Sequence, residues 1–120
     1  MSSLPPIDMQ AIENLRALNP GDNDEFLREI VGIFLEDTPQ RIIDLEQSLV
    51  VGDIGKFTRA AHSIKGSSAN LGAQPLRMAG EKLEDHSRKL GLAGVDGMIG
   101  IVKEEFYRAK LELEKIACLS

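Results

Sequence analysis

Residues 61–72, AHSIKGSSANLG, hold the side chains best suited to chemistry: His62, then Lys65 and Gly66, then the small residues Ser67, Ser68 and Ala69. An exposed imidazole with the reference pKa of ~6.5 is substantially neutral at cellular pH, and its free nitrogen is a competent nucleophile. Residues three or four apart share a helix surface. Lys65 is therefore placed to reach an anionic group carried by the ring. Phosphoryl transfer fits this set: a neutral nitrogen attacks, a loose and negatively charged transition state forms, and a fixed cation stabilises it. Two charges ~4 Å apart at an effective dielectric of ~20 interact by about 4 kcal/mol, an upper bound that exposure reduces.

A helical count of about 100° per residue puts His62 roughly 130°, and Gly66 roughly 170°, from the mean apolar direction of their helix. Both face solvent. A core histidine would lie on the apolar stripe, and a packing glycine would face a neighbouring helix; neither description fits. Glycine inside a helix costs about 1 kcal/mol relative to alanine. What it gives in return is a bare surface beside the imidazole, open to a large partner. By the same count Lys65 is exposed, so its removal is expected to affect transfer and leave folding nearly unchanged.

Helices must position these residues. The 120 residues suffice for one domain, rich in Leu, Ile, Val and Ala, with 4% aromatics and no Trp. No segment alternates with a period of two, and helical periodicity recurs almost throughout, so the expected class is all-α. The first helix spans about Asp8 to Leu18, capped by Asp8, with Ile12, Leu15 and Leu18 in one stripe. The second runs from about Asp22 to Val51. Its inward face, Leu27, Val31, Phe34, Thr38, Ile42, Leu45 and Leu49, keeps register through Pro39, which favours one kinked helix over a new helix capped by Thr38.

Asp53 caps a third helix that presents Ile54, Phe57, Ala61, Ile64, Ser68 and Leu71 inward and ends at Gly72. Pro75 opens a fourth, to about Leu90, with Leu76, Ala79, Leu83 and Leu90 facing in; GLAGVDG reads as a loop. The last runs from near Val95 to Ala117 and buries Val95, Met98, Val102, Phe106, Ala109, Leu113 and Ile116. Short connections make long helices antiparallel neighbours. The expected architecture is an antiparallel up-and-down four-helix bundle over about residues 22–118, with a short additional N-terminal helix.

Composition narrows the function classes. Residues 53–90 carry seven basic and four acidic side chains, a local +3 that leaves −8 on the rest of a chain with formal net charge −5. Such a patch suits a specific acidic partner better than nucleic acid, which calls for a strongly basic face. Cys118 is the only cysteine, so the chain forms no internal disulfide or thiolate cluster, which fits a cytoplasmic protein. No secretory signal or membrane span is read, and the Met1 start with single-domain length points to a freestanding protein. A metal site would have to use His62 and His86, the only two histidines; they form no His-x-x-x-His pair, and neither has a glutamate three residues before it as a di-iron bundle requires. No metal or other cofactor is expected.

AHSIKGSSANLGAQ resembles the signature of histidine-containing phosphotransfer (HPt) domains: His, two residues, Lys-Gly, small residues, then Gly. His62, Lys65, Gly66, Ser67, Ser68, Gly72 and Gln74 all fall at that spacing. FLREIVGIFLEDTPQRIIDLEQSL and LRMAGEKLEDHSR are similar to the helices before and after it. The resemblance implies a four-helix bundle, phosphorylated on His62 Nε2 by an aspartyl phosphate of a response-regulator receiver domain, which passes the group to another receiver. It implies that Lys65 helps hold the phosphoryl group, that Gly66 keeps the docking surface open and that Gln74 lies near the imidazole. Arg88 matches a basic position of some members; with Arg59 and Ala69 it makes the candidate docking set. Ser67 and Ser68 are expected to serve packing or local hydrogen bonds.

The implied partners are receiver domains, which hold Mg²⁺ in acidic clusters, and a (hybrid) sensor histidine kinase, since no nucleotide-binding glycine loop appears here. Exposed apolar residues such as Ile12, Leu15 or Phe34 would supply docking affinity, and the chain is expected to be monomeric. A non-catalytic docking bundle for response regulators is the alternative, and His62 with Lys65 argues against it.

Overall fold

A computed structural model describes residues 4–118. Among them all regular structure is α-helical, in chain order α1 (Met9–Leu18), α2 (Glu25–Val51), α3 (Ile54–Asn70), α4 (Gln74–Leu90) and α5 (Asp96–Ile116). The starts of α1, α2 and α3 follow capping chemistry, in which a short polar side chain satisfies an otherwise unpaired backbone N–H. Asp8 accepts from the Gln10 N–H at 3.0 Å, and Asp53 accepts from the Lys56 N–H at 3.0 Å. At α2 the cap comes from outside the helix: Asp22 Oδ2 accepts from the Phe26 N–H at 3.1 Å. Asp24 instead accepts from Arg16 Nε at 3.2 Å, tying the end of α1 to the start of α2.

Pro39 lies inside α2 and does not end it. Thr38 is buried within the helix and caps nothing. The continuous apolar register explains this, because breaking the helix would turn one half of the stripe out of the core.

Helices α2, α3, α4 and α5 close a ring, each packed on the helices before and after it, and α1 lies against α2. The up-and-down bundle with an extra N-terminal helix is thus the observed fold. The short helix is pinned at its start: the Asp8 N–H donates to the Gly72 carbonyl at 2.8 Å. Gly72 has φ +69°, and a Cβ there would stand 2.7 Å from Ala11 Cβ and 2.8 Å from the Asp8 carbonyl oxygen. Only glycine makes both the left-handed turn and the close approach.

Most residues of the expected inward faces are buried, and the clear failures are terminal. Leu18, Ile54 and Leu90 are exposed, because each is a first or last helical residue and overhangs the core. Leu15, Leu49, Met98, Phe106 and Ile116 pack half-buried at its margin. Ser48, Ala60, Ile99 and Ala117 are buried although they were not on the expected faces. Ile12 and Phe34, offered above as exposed docking residues, are core, and Leu15 packs against it; the apolar stripe that suggested them is the one that binds α1 and α2 to the bundle.

Candidate functional site

His62 occupies the centre of α3, with eight helical residues on either side. Its side chain is 62% exposed. Gly66, one turn later, is exposed as well, and a Cβ built there would meet nothing within 4 Å. Both point away from the bundle, as the helical count required.

The close-packing glycine of this site is Gly80, on α4. A Cβ there would stand 3.2 Å from the Lys65 backbone N and 3.3 Å from the Ala61 carbonyl oxygen. Its absence lets α3 and α4 approach closely, and one turn farther along α4 a carboxylate crosses between them. Glu84 is 1% exposed, and three side chains converge on it: His62 Nδ1 lies 2.8 Å from Oε2, Arg88 Nη2 lies 2.9 Å from Oε2, and Lys65 Nζ lies 2.7 Å from Oε1. The His62 contact is a directed hydrogen bond. The Lys65 contact to Oε1 is short and charge-assisted, and it completes the neutralisation of the buried carboxylate. A second link locks the same helices one turn away, where the Thr58 and Ser87 hydroxyls meet at 2.6 Å.

Burial pushes the Glu84 carboxyl up, whereas Lys65, His62 and Arg88 pull it down, and the pull prevails: its pKa lies below the ordinary value of 4.5. At neutral pH Glu84 is therefore an anion, which can only accept hydrogen bonds. The proton in the His62–Glu84 contact must belong to Nδ1. In the neutral ring this leaves the lone pair on Nε2, the nitrogen that Glu84 does not occupy. The geometry thus supplies what the spacing alone did not, a fixed tautomer with one nucleophilic nitrogen aimed outward.

Lys65 differs from expectation. It is 30% exposed and spans to a buried carboxylate, so it contributes to folding as well as to the site. Gln74 is not beside the imidazole. It opens α4, ten residues and about 15 Å of helix rise from Glu84, and its Oε1 accepts from Arg77 Nε at 2.7 Å. The short α3–α4 turn fixes Gln74 at one end of the bundle while His62 sits at mid-length.

Of the docking candidates, Arg88 joins the site through Glu84. Arg59 lines an open groove beside the ring together with Ile54, Thr58, Ser63 and Arg88. Its guanidinium lies back over Gly55, where a Cβ would come 3.3 Å from Nη1. Ala69 is exposed seven residues beyond His62 on α3. Ser68 Oγ donates to the Ile64 carbonyl at 2.6 Å and Ser67 Oγ to the Ser63 carbonyl at 3.0 Å, both local bonds. His86 Nε2 lies 2.6 Å from the Ala93 carbonyl oxygen, to which it donates, bracing the α4–α5 loop. Among the described residues no three His, Cys, Asp or Glu side chains group as metal ligands.

Sequence reasoning missed Glu84 and Gly80. A signal existed: Leu76, Gly80, Leu83, Glu84 and Ser87 repeat at three and four, which puts a carboxylate on the buried arc of α4, where it must find cations.

The Hpt domain family model matches residues 29–116. The chain is 30% identical over 99 residues to the multistep phosphorelay regulator 1 of Schizosaccharomyces pombe, covering 82% of this chain but only 32% of that protein. It is 29% identical over 112 residues to histidine-containing phosphotransfer protein 1 of Arabidopsis thaliana, covering 92% of this chain and 72% of the relative. The crystal structure of histidine-containing phosphotransfer protein B from Pseudomonas aeruginosa PAO1 superposes with a TM-score of 0.86 at 25% identity, covering 98% of this chain and 99% of the other. With the matched region holding α3, α4 and every side chain around Glu84, the chain belongs to the Hpt domain family.

Proposed function

We propose that this chain is a phosphorelay intermediate: His62 Nε2 accepts a phosphoryl group from an aspartyl phosphate on one receiver domain and delivers it to the aspartate of another. The observation that carries the reading is the outward Nε2, left free because buried Glu84 holds Nδ1. In the accepting step the Nε2 lone pair attacks phosphorus, the P–O bond to the aspartyl group breaks, and its electron pair leaves on that carboxylate. Lys65 and Arg88 flank the ring around Glu84 and together with it leave a net +1 facing the incoming phosphate. Such fixed charge stabilises the loose transition state without reorganising at the moment of transfer. Gly66 leaves room for the receiver to come close.

The chain acts as a carrier without kinase activity of its own, so the phosphoryl group originates at a sensor histidine kinase. Mg²⁺ belongs to the receiver, whose acidic site complements the basic α3–α4 surface and speeds encounter. No helix among the described residues is long and apolar enough to cross a membrane; a monomer working in the cytoplasm accords with the relay reading. Incubation with a phosphorylated receiver tests it. Acid-labile, base-stable label is expected on His62 and absent from His62→Gln. Label that never reaches the wild-type chain favours a docking bundle instead.

A further inference from the structure

We propose that Arg59 is a further catalytic residue, which leaves its place over Gly55 to hold the phosphoryl group on His62 Nε2 during transfer. The proposal rests on the relay reading above and adds a group to the same site. Side chains of a helix lean toward its N-terminus, so the His62 ring lies over the turn that carries Thr58 and Arg59. Those two residues line the groove beside the ring, together with Arg88 from α4. Arg59 precedes His62 by three residues, and helical pairs at that spacing have Cβ atoms about 5–6 Å apart. A side chain as long as arginine therefore reaches a group attached to the outward nitrogen.

What sets Arg59 apart is its freedom. Lys65 Nζ is held 2.7 Å from Glu84 Oε1 and Arg88 Nη2 2.9 Å from Oε2, so both supply charge from a fixed and buried anchor. Arg59 is exposed and, among the described residues, makes no ion pair or hydrogen bond. Its Nη1 rests 3.3 Å from where a Gly55 Cβ would stand. Asp53 Oδ1, 3.6 Å from the same point, is engaged in capping α3 through the Lys56 N–H. Leaving that place breaks no bond, and exposed side chains change rotamer in ps–ns, so the movement sets no limit on transfer. The guanidinium presents its N–H donors in a planar fork that matches phosphoryl oxygens. As the Nε2–P bond forms and the P–O bond to the aspartyl group breaks, with its electron pair leaving on that carboxylate, Arg59 donates hydrogen bonds to the oxygens of the moving group and keeps all its protons. The return step uses the same contacts.

The test uses two donors. Phosphoramidate, a small donor, phosphorylates histidine without a receiver, so it reports on the group at the ring and not on docking. Arg59→Gln is expected to take phosphate from it about tenfold more slowly than wild type, the low end for removing one charge-assisted donor from a transition state. Arg59→Lys, which keeps the charge without the fork, should recover part of the rate. With a phosphorylated receiver, the maximal single-turnover rate should fall by a similar factor while the half-saturating concentration stays nearly unchanged. Gly55→Ala puts a methyl where the guanidinium rests and should react with phosphoramidate at least as fast as wild type. Circular dichroism establishes that the variants fold. Equal phosphoramidate rates in wild type and Arg59→Gln overturn the proposal and leave the relay standing. A change confined to the half-saturating receiver concentration makes Arg59 a docking residue and overturns it too, and a Gly55→Ala protein as slow as Arg59→Gln does so by placing the working position over Gly55. A wild-type ring that accepts no phosphate from either donor overturns the relay reading and this proposal with it.

Discussion

Gly66 and Gly80 are both glycines inside helices, and alanine should affect them oppositely. Each replacement gains about 1 kcal/mol of helix propensity. At Gly66 the added methyl meets nothing within 4 Å, so the gain stands alone. For a chain of this size that raises Tm by about 4 °C. At Gly80 the methyl meets the Lys65 backbone N at 3.2 Å and the Ala61 carbonyl oxygen at 3.3 Å. Backbone atoms cannot rotate aside, so α3 and α4 must separate by a few tenths of an ångström. Overpacking of this kind costs about 1–3 kcal/mol. Propensity cancels between the two variants, leaving Gly80→Ala less stable than Gly66→Ala by about 1–3 kcal/mol, or about 4–12 °C. Thermal unfolding followed by circular dichroism measures the difference, and urea titration supplies the free energies. Equal stability within about 0.5 kcal/mol, the ordinary scatter of surface substitutions, would refute the role given to Gly80 in bringing the two helices together.

Lys65→Ala should slow transfer and also destabilise the fold by about 1–2 kcal/mol, since it strips one cation from a buried carboxylate that keeps two other partners; urea unfolding detects it. The depressed pKa of Glu84 means that its ionised form stabilises the fold fully above pH 4.5, and that this contribution is lost as pH falls through the lower folded value. Wild type should accordingly lose stability more steeply than Glu84→Gln below pH 4.5, as unfolding midpoints from pH 3 to 7 would reveal. Gly72→Ala forces a left-handed backbone onto alanine and drives its methyl into α1, costing about 2–4 kcal/mol. Limited proteolysis should then cut first near α1, and cleavage elsewhere would contradict the pinning of that helix.

The helix wheel of α3 was enough to turn His62 and Gly66 outward, because exposure on a packed helix depends only on the angle from its own stripe. The passage of α2 through Pro39 was legible for the same reason: seven inward positions kept one register across it. What the sequence withheld was everything that depends on two helices at once. Lys65 looked free since its partner lies nineteen residues away on α4, and Gly80 looked ordinary since its neighbours are backbone atoms of α3. Gln74 was placed beside His62 on motif spacing, but the turn at Gly72 carries it toward the end of the bundle. Ile54, Leu18 and Leu90 matched the periodicity but overhang the core, which a wheel of unlimited length does not register.

The location of His62 midway along α3 bears on what the molecule does with charge. Partial charges at helix ends act only within the first or last turn, and eight residues on each side remove both ends from the ring. A phosphate arriving there neither gains from one pole of the helix nor suffers from the other, and it lies far from the segments that fray. With neither pole of the helix favouring loading or release, the direction of traffic falls to the relative abundance and chemistry of the receivers it meets.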